Sequence, residues 1–225
     1  MKLRLKIITE SLNEGANITS SDFVKSETLF DMYEVTKLFK IQSDDMEMTQ
    51  ELSFQYSPKD FVNEPIIAAL EKCGRGNQVE DDSFGQHTIP TFDISFKIVE
   101  MTIGGKEVEI KDEYTSNIFP NKMVAISFLR NIAKSINDFA SQNDDSCFVF
   151  SGGVQSEEQP WDTSRRTKIY YMMLKRAFKR SSGWVMVSFG EDEPNDTFFF
   201  RCNDDNASFQ NEIYSLIDEE FSSMK

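Results

Sequence analysis

The sequence predicts an α+β fold in which two or three helices pack on a mainly antiparallel sheet. Three observations lead to this prediction. Apolar and polar residues alternate at 52–56 and 92–98, which is the period of a strand with one buried face. Between 125 and 139 the apolar residues recur at the helical period instead. Residues 147–150 form an uninterrupted apolar run, which is typical of a strand covered on both faces.

Length and composition exclude several classes of protein. The chain has 225 residues, enough to bury a substantial core, and 38 acidic residues against 24 basic ones give a formal net charge of -14. This acidic balance argues against a nucleic-acid footprint over the whole surface. No apolar run approaches the roughly 18 residues that a membrane-spanning helix needs, so we expect no membrane partner.

The residues that most often bind metals are few and scattered. His87 is the single histidine, and Cys73, Cys147 and Cys202 lack the close spacing of a zinc site. An odd number of widely separated cysteines is typical of reduced thiols, so we expect no disulfide and no metal site. With one histidine and no carboxylate pair that stands out, no catalytic residues are predicted.

The first 14 residues form a basic leader. Apolar residues at positions 5, 8 and 12 share one face if the leader is helical, and basic residues stand between them. Gly15 then allows a break, and we expect residues 15–27 to be a polar linker before a single domain at 28–225. A first strand over residues 2–8, closed by a turn, is the alternative interpretation.

The end of this leader carries a resemblance. Leu12, Glu14 and Gly15 spell Leu-x-Glu followed by a small residue. This resembles the capsid-targeting peptide of T-even-type phage internal head proteins. The resemblance implies that the leader docks on the prohead core and that the prohead protease cuts the Glu14–Gly15 bond. It also implies a place inside the capsid of the virion and, after ejection, in the host cytoplasm, where the partner would be an unknown host protein.

The elements before residue 111 are predicted to be mainly strands. A β-rich run covers 28–41, and 52–56 forms a second strand. A short helix is expected at 65–71, and the polar segment 77–91 is predicted to be a mobile excursion. Strand 92–98 then turns at Gly104-Gly105 into a return strand that ends at residue 110.

A helix follows Pro120 and presents one apolar stripe to the core. The stripe consists of Ala125, Phe128, Leu129, Ile132, Ile136 and Phe139. The apolar run 147–150 comes next and is expected to be a central strand. Strands at 185–189 and 198–200 are predicted to form a hairpin, and an amphipathic helix is expected over 207–221.

A basic helix over 164–180 follows the Ser-Gly-Gly loop that begins at Ser151. Its expected buried stripe is Ile169, Tyr170, Met173, Leu174 and Ala177, and seven cations surround that stripe. One interpretation is a solvated face that balances the acidic residues elsewhere. The other is an anion-binding site, in which backbone N–H groups of the loop and guanidinium groups of the helix bind a phosphate. The candidate anion-binding residues are Ser151, Gly152, Gly153, Arg165, Arg166 and Lys168.

The loop does not have the Lys-Ser/Thr ending of a P-loop, nor the spacing of a dinucleotide fingerprint, so no cofactor is predicted. Contact with nucleic acid is expected only through the basic helix.

The same block carries a second resemblance. The matching residues are Phe150, Ser151, Ser164, Arg165, Tyr170, Lys175 and Arg176. They resemble a group of tailed-phage proteins and the part that precedes the catalytic domain in the ADP-ribosyltransferase of T-even phage heads. The enzymes of that kind need a Ser-Thr-Ser strand before their Glu-x-Glu pair. No such strand precedes Glu191–Glu193, which we interpret as a hairpin turn.

These observations predict a non-enzymatic phage virion internal protein that binds or inhibits a host factor. Two alternatives come from other classes. One is an acidic anti-restriction inhibitor that mimics DNA by spacing its carboxylates like phosphates. The other is a small acetyltransferase-like enzyme that holds a cofactor pyrophosphate with the Gly152-Gly153 loop and Arg165 and Arg166.

Overall fold

The computed structural model describes residues 16–27, 33–61, 69–76, 80–81, 87–110, 122–151, 165–178, 183–188 and 196–202. Over these ranges the chain is mixed α and β, with a mostly antiparallel sheet of many strands, as the sequence predicts. The strands are β1 (Asn17–Ser20), β2 (Val24–Glu27), β3 (Tyr33–Gln42), β4 (Met46–Phe61), β5 (Glu80–Asp81), β6 (His87–Ile103), β7 (Lys106–Glu107), β8 (Cys147–Ser151), β9 (Trp184–Ser188) and β10 (Asp196–Arg201). The helices are α1 (Lys122–Gln142) and α2 (Arg165–Phe178), and residues 69–72 add one helical turn.

Hydrogen-bonded neighbours follow the order β1-β3-β4-β6-β8-β10-β9, with β2 on β3 and with β5 and β7 on β6. The pair β6 and β8 is parallel, with Phe92 opposite Phe148. A parallel pair needs a long crossover between its strands, and α1 lies on that crossover. The chain divides into two compact units, Met1–Phe54 with Ser95–Ser135 and Gln55–Ile94 with Ile136–Lys225.

The first unit begins with two short strands where the sequence predicted a linker. β1 pairs with β3 antiparallel, with Ile18 opposite Ile41, and β2 pairs with β3 further along. β1 is mostly exposed and polar, so its composition resembles that of a loop. Backbone pairing with β3, rather than burial of side chains, accounts for its strand conformation, as in many edge strands.

Aromatic and aliphatic side chains form the core of the first unit. Phe128 of α1 meets Phe39 of β3 and Phe96 of β6 edge to face, at ring centroid distances of 5.8 and 6.4 Å. Phe128 and Ile132, which the predicted stripe of this helix includes, are fully buried. The stripe prediction is therefore confirmed at these two positions, whereas Ala125 and Leu129 of the predicted stripe are half-buried.

The predicted glycine turn closes the hairpin of β6 and β7. Gly104 and Gly105 have φ angles of 57° and 73°, which is the left-handed pair that a two-residue hairpin turn requires. The backbone N–H of Val108 donates to the carbonyl of Met101 at 2.9 Å and continues the pairing beyond β7.

The second unit is built around β8, which lies between β6 and β10. The residues of β8 from Cys147 to Phe150 are all at most 2% exposed. Phe148 stacks on Phe92 at 5.5 Å and on Phe199 at 5.1 Å. The prediction of a central strand covered on both faces is confirmed.

Helix α2 buries a stripe that differs from the predicted one. Tyr171, Leu174 and Phe178 are buried, and Met173 and Ala177 are only half-buried. Phe178 packs on Trp184 and Phe199, at 4.8 and 5.1 Å. Positions 170 and 171 are both aromatic, so the sequence fits a buried stripe through either of them. Phe178 contacts β9 and β10, and this contact places the stripe through Tyr171 in the core. The side chains of Ile169 and Tyr170 lie outside the described residues.

Other predictions fall partly or wholly outside the described residues. The excursion expected at 77–91 contains β5 and the start of β6, which pair through Glu80 opposite Thr88, and Thr91 is fully buried. The predicted hairpin of β9 and β10 is confirmed by their antiparallel pairing, and Glu191–Glu193 between them is not described. The leader, the first part of the helix at 65–71 and the helix at 207–221 also lie outside.

Candidate functional site

The structure describes the predicted anion site only in part. Ser151 is the last residue of β8, opposite Asp196 of β10. Gly152 and Gly153 lie outside the described residues. Arg165, Arg166 and Lys168 belong to the first turn of α2, but only their backbone is described. The anion site therefore stays a prediction.

Two of the seven cations of the basic helix have described side chains. The ammonium group of Lys175 lies 5.6 Å from the centre of the Tyr171 ring, and Arg176 is exposed. Both positions suit a solvated helix face. The predicted cleavage residues Leu12, Glu14 and Gly15 lie outside the described residues, which begin at Ala16.

All three cysteines of the chain converge in the second unit, which the sequence did not predict. Cys73 and Cys202 form a disulfide, with their Cα atoms 4.6 Å apart and a separation of 129 positions in the sequence. The prediction of reduced thiols is wrong for this pair, because spacing along the chain does not report distance in the fold. Cys147 is a buried free thiol.

The register of β8 and β10 places Cys147 beside that disulfide. Cys147 lies opposite Phe200, so the two side chains share a face of the sheet. Cys202 follows two residues later and keeps the strand pairing, since its N–H donates to the carbonyl of Gly183 at 2.7 Å. Side chains two residues apart on a strand point to the same face. Cys147 and Cys202 therefore face the same side at the same end of the sheet.

Arg75 fills the space beside these cysteines and is 2% exposed. It lies two residues after Cys73, in the turn that follows the helical residues 69–72. Its guanidinium donates to three backbone carbonyl oxygens, those of Asp145 at 2.5 Å, Ser146 at 3.5 Å and Arg201 at 3.1 Å. Two of these carbonyls belong to the residues just before Cys147 and Cys202.

The side-chain contacts of Arg75 complete the cluster. Its guanidinium donates a hydrogen bond to the sulfur of Cys147. The same group lies 5.9 Å from the centre of the Phe200 ring, within the range of a cation–π contact. We call Arg75, Cys147 and the Cys73–Cys202 disulfide the thiol cluster.

Burial controls the charge states in the thiol cluster. It lowers the pKa of Arg75, and the nearby Cys147, Asp145 and Asp144 act in the opposite direction. Arginine nevertheless stays protonated near neutral pH. Burial raises the pKa of Cys147 to about 12, although the Arg75 charge and hydrogen bond favour the thiolate. Desolvation outweighs the guanidinium, so Cys147 is a neutral thiol at pH 7.

The outer edge of the thiol cluster is an ion pair between Arg201 and Asp144. Both side chains are partly exposed, at 31% and 44%, so water screens their attraction. The pair stands next to the carbonyl of Arg201 that accepts from Arg75. It therefore marks the solvent side of the cluster and contributes little to its stability.

The chemistry available to this arrangement is that of sulfur. A thiol beside a disulfide can exchange with it, but only the thiolate is nucleophilic. The protonated Cys147 is therefore unreactive while the cluster stays closed. Within the ranges that the structure describes, no group of three or more His, Cys, Asp and Glu side chains could hold a metal ion.

One sequence signal could have located the thiol cluster. Cys147 opens one predicted strand and Cys202 follows another, and antiparallel neighbours bring the start of one strand to the end of the other. No such signal located Cys73 and Arg75, because they lie in the glycine-containing turn 73–76, far from both strands in the sequence.

In the part of the chain that the structure covers, no helix is long and apolar enough to cross a membrane. Comparisons of this chain with protein-family models, with curated proteins and with solved structures found no match.

Proposed function

We propose that this protein is a phage virion internal protein. Its leader, residues 1–14, directs it into the prohead, the prohead protease cuts after Glu14, and the mature chain is ejected to bind or inhibit a host factor without catalysing a reaction. The observation that carries the proposal is the sequence Leu12-x-Glu14-Gly15, placed directly after a basic leader.

The proposed cut lies just before the first strand that the structure describes. Ala16 is buried, and β1 begins at Asn17 and pairs with β3. Cleavage of the Glu14–Gly15 bond would leave β1 whole and would make Ala16 the second residue of the mature chain.

The burial of the thiol cluster supports a binding role rather than catalysis. Arg75 and Cys147 are at most 2% exposed, so neither meets a substrate while the cluster is closed. On this proposal the partner binds the surface of the protein, and the net charge of -14 favours a host partner with a basic surface.

We also propose the finer fold class, an α+β domain with two or three helices packed on the sheet. Phe39 against Phe128 in the first unit and Phe178 against Trp184 in the second support helices packed on strands. The helical residues 69–72 support a third, shorter helix.

Mass spectrometry of purified virions tests the packaging proposal. We expect the particles to contain this protein with an N-terminal peptide that starts at Gly15. Glu14→Gln should abolish that peptide because the protease recognises the carboxylate at this position. Glu10→Gln, a change of the same kind within the leader, is the matched control and should be cut normally. Particles without the protein, or with an uncut N-terminus, would rule out the proposal.

A thermal-shift screen with coenzyme A, NAD and ATP tests the non-enzymatic part. Binding to the native state raises the melting temperature by mass action. We expect no shift with any of the three. A shift with coenzyme A that Arg165→Gln and Arg166→Gln remove would support the acetyltransferase-like alternative instead.

A further inference from the structure

We propose that Cys147 is a latent thiol modification site gated by the Cys73–Cys202 disulfide. While the disulfide is closed, Cys147 does not react. When a dithiol reductant opens the disulfide, the segment that carries Arg75 withdraws, and Cys147 forms a mixed disulfide with a low-molecular-weight disulfide such as that of glutathione. This site is independent of the proposed function.

Backbone hydrogen bonds hold the covering segment, residues 69–76, together. The N–H of Cys73 donates to the carbonyl of Ala69 at 3.0 Å, and the N–H of Arg75 donates to the carbonyl of Leu70 at 2.8 Å. Cys73 and Arg75 are thereby fixed to the same helical turn. On this proposal, a displacement of Cys73 also displaces the backbone of Arg75 and pulls its guanidinium from the carbonyls that it contacts.

Two attachments join this segment to β8 and β10. One is the disulfide to Cys202, and the other is the set of hydrogen bonds from Arg75 to the carbonyls of Asp145, Ser146 and Arg201. The covalent bond prevents the segment from leaving, so a transient break of the hydrogen bonds is followed by prompt closure. After reduction only non-covalent contacts hold the segment in place, and local openings become more frequent.

Opening changes the chemistry of Cys147 as well as its access. In the closed state its side chain is fully buried, and the pKa of the thiol is raised by that burial. Withdrawal of the segment lets water reach the sulfur, so the cause of the raised pKa disappears. A solvated cysteine has a pKa of about 8.5 and is partly thiolate near neutral pH.

Atoms and electrons balance in both steps, with the dithiol reductant and glutathione disulfide as the reagents. In the first, the dithiol reductant becomes a disulfide, and its two electrons and two protons convert Cys73 and Cys202 into thiols. In the second, Cys147 loses its proton to water, and its thiolate attacks one sulfur of glutathione disulfide. That S–S bond breaks, a new S–S bond forms at Cys147, and the other glutathione leaves as a thiolate that takes up a proton.

The test compares modification of Cys147 in the full-length chain before and after reduction. The oxidised chain, and a chain treated with dithiothreitol and then freed of it without oxygen, receive a short pulse of N-ethylmaleimide. Peptide mass spectrometry then gives the modified fraction at each cysteine. We expect Cys147 to react at least tenfold faster in the reduced chain, with an unchanged far-ultraviolet circular dichroism spectrum. Glutathione disulfide as the probe should give a Cys147 adduct only after reduction.

Variants test whether the Cys73–Cys202 disulfide itself keeps Cys147 covered. The double variant Cys73→Ser with Cys202→Ser should react at Cys147 as the reduced wild type does, without any reductant. Cys147→Ser should lose the modified peptide that defines the site. Equal rates of Cys147 modification in the oxidised and reduced wild type would overturn the proposal, because the disulfide would then have no effect on access to the thiol. Reactivity that appears only with loss of the native spectrum would overturn it too, because global unfolding rather than opening of the disulfide would expose Cys147.

Discussion

A buried guanidinium needs acceptors for its donors, and Arg75 finds them mainly on the backbone. Three carbonyl oxygens, at the start of β8 and the end of β10, accept from it. The charge costs free energy to bury, and the hydrogen bonds offset that cost. Arg75 therefore joins two strand ends that lie far apart in the chain.

Replacement of Arg75 should destabilise the fold strongly. Arg75→Met keeps most of the side-chain volume but leaves the three carbonyls without this donor, and we expect the free energy of unfolding to fall by about 3 kcal/mol. Guanidinium unfolding without reductant measures the change. Arg130→Met, on the exposed side of α1, is the matched control and should change stability by less than about 0.5 kcal/mol. Equal losses in the two variants would contradict this role for Arg75.

The burial of Cys147 predicts a loss of stability at high pH. Its pKa is raised from 9.0 to about 12 in the folded state, so folding favours the protonated thiol. The contribution is fully present below about pH 9 and is lost as the pH rises toward 12. Over that window the wild type should lose about 1 kcal/mol per pH unit more than Cys147→Ala does. Unfolding midpoints at pH 8, 9 and 10 measure this, and parallel curves for the two proteins would contradict it.

At the scale of the elements, the turn between β6 and β7 allows the effect of backbone conformation on stability to be measured separately from side-chain contacts. Gly104 has a φ of 57°, and a Cβ atom at this position would meet nothing within 4 Å. Any cost of a side chain there must come from the left-handed conformation itself. The N–H of Gly104 also donates to the carbonyl of Asp45 at 2.8 Å, a bond that every substitution except proline keeps.

Two substitutions at Gly104 should therefore differ. Gly104→Val should lower the free energy of unfolding by about 1 to 2 kcal/mol, because a β-branched residue resists positive φ. Gly104→Asn should cost less than about 0.5 kcal/mol, because asparagine adopts this region readily. Thermal unfolding of both variants measures the difference. Similar losses would show that some contact of the side chain, and not φ, sets the cost.

The elements that the sequence predicts well are those whose side chains carry a strong period. The stripe of α1 and the apolar run of β8 belong to this group, because burial alone selects their faces. β1 and β2 could not be predicted, because their strand conformation comes from pairing with β3 rather than from apolar residues. The buried stripe of α2 lies one position away from the predicted one, because aromatic residues at the neighbouring positions 170 and 171 make two faces of the helix equally apolar.

At the scale of the whole molecule, the disulfide links distant parts of the sequence. Cys73 and Cys202 are 129 residues apart, and the thiol cluster also includes Cys147 at the start of β8. Sequence spacing could not reveal it, since the contact depends on the register of β8 and β10 and on the turn that carries Arg75.

Reduction of this disulfide should cost substantial stability. Closing a loop of this length removes chain entropy from the unfolded state, which corresponds to about 5 kcal/mol. We expect Cys73→Ser with Cys202→Ser to lower the free energy of unfolding by about that amount, in a Cys147→Ser background that prevents exchange. Guanidinium unfolding gives the difference, with the Cys147→Ser single variant in its oxidised form as reference. A difference below about 1 kcal/mol would contradict the loop-entropy account.

The covalent loop between Cys73 and Cys202 also limits how the unfolded chain can pass through a narrow channel. An unfolded chain without cross-links passes a narrow channel as a single strand, whereas a closed loop must pass with two strands side by side. About 130 residues, on the order of 400 Å of extended chain, lie inside the loop and cannot be drawn out by pulling on either terminus. Passage through a channel that admits only one extended chain would therefore require the disulfide to be open. The redox state of two cysteines would then decide whether the unfolded chain passes such a channel.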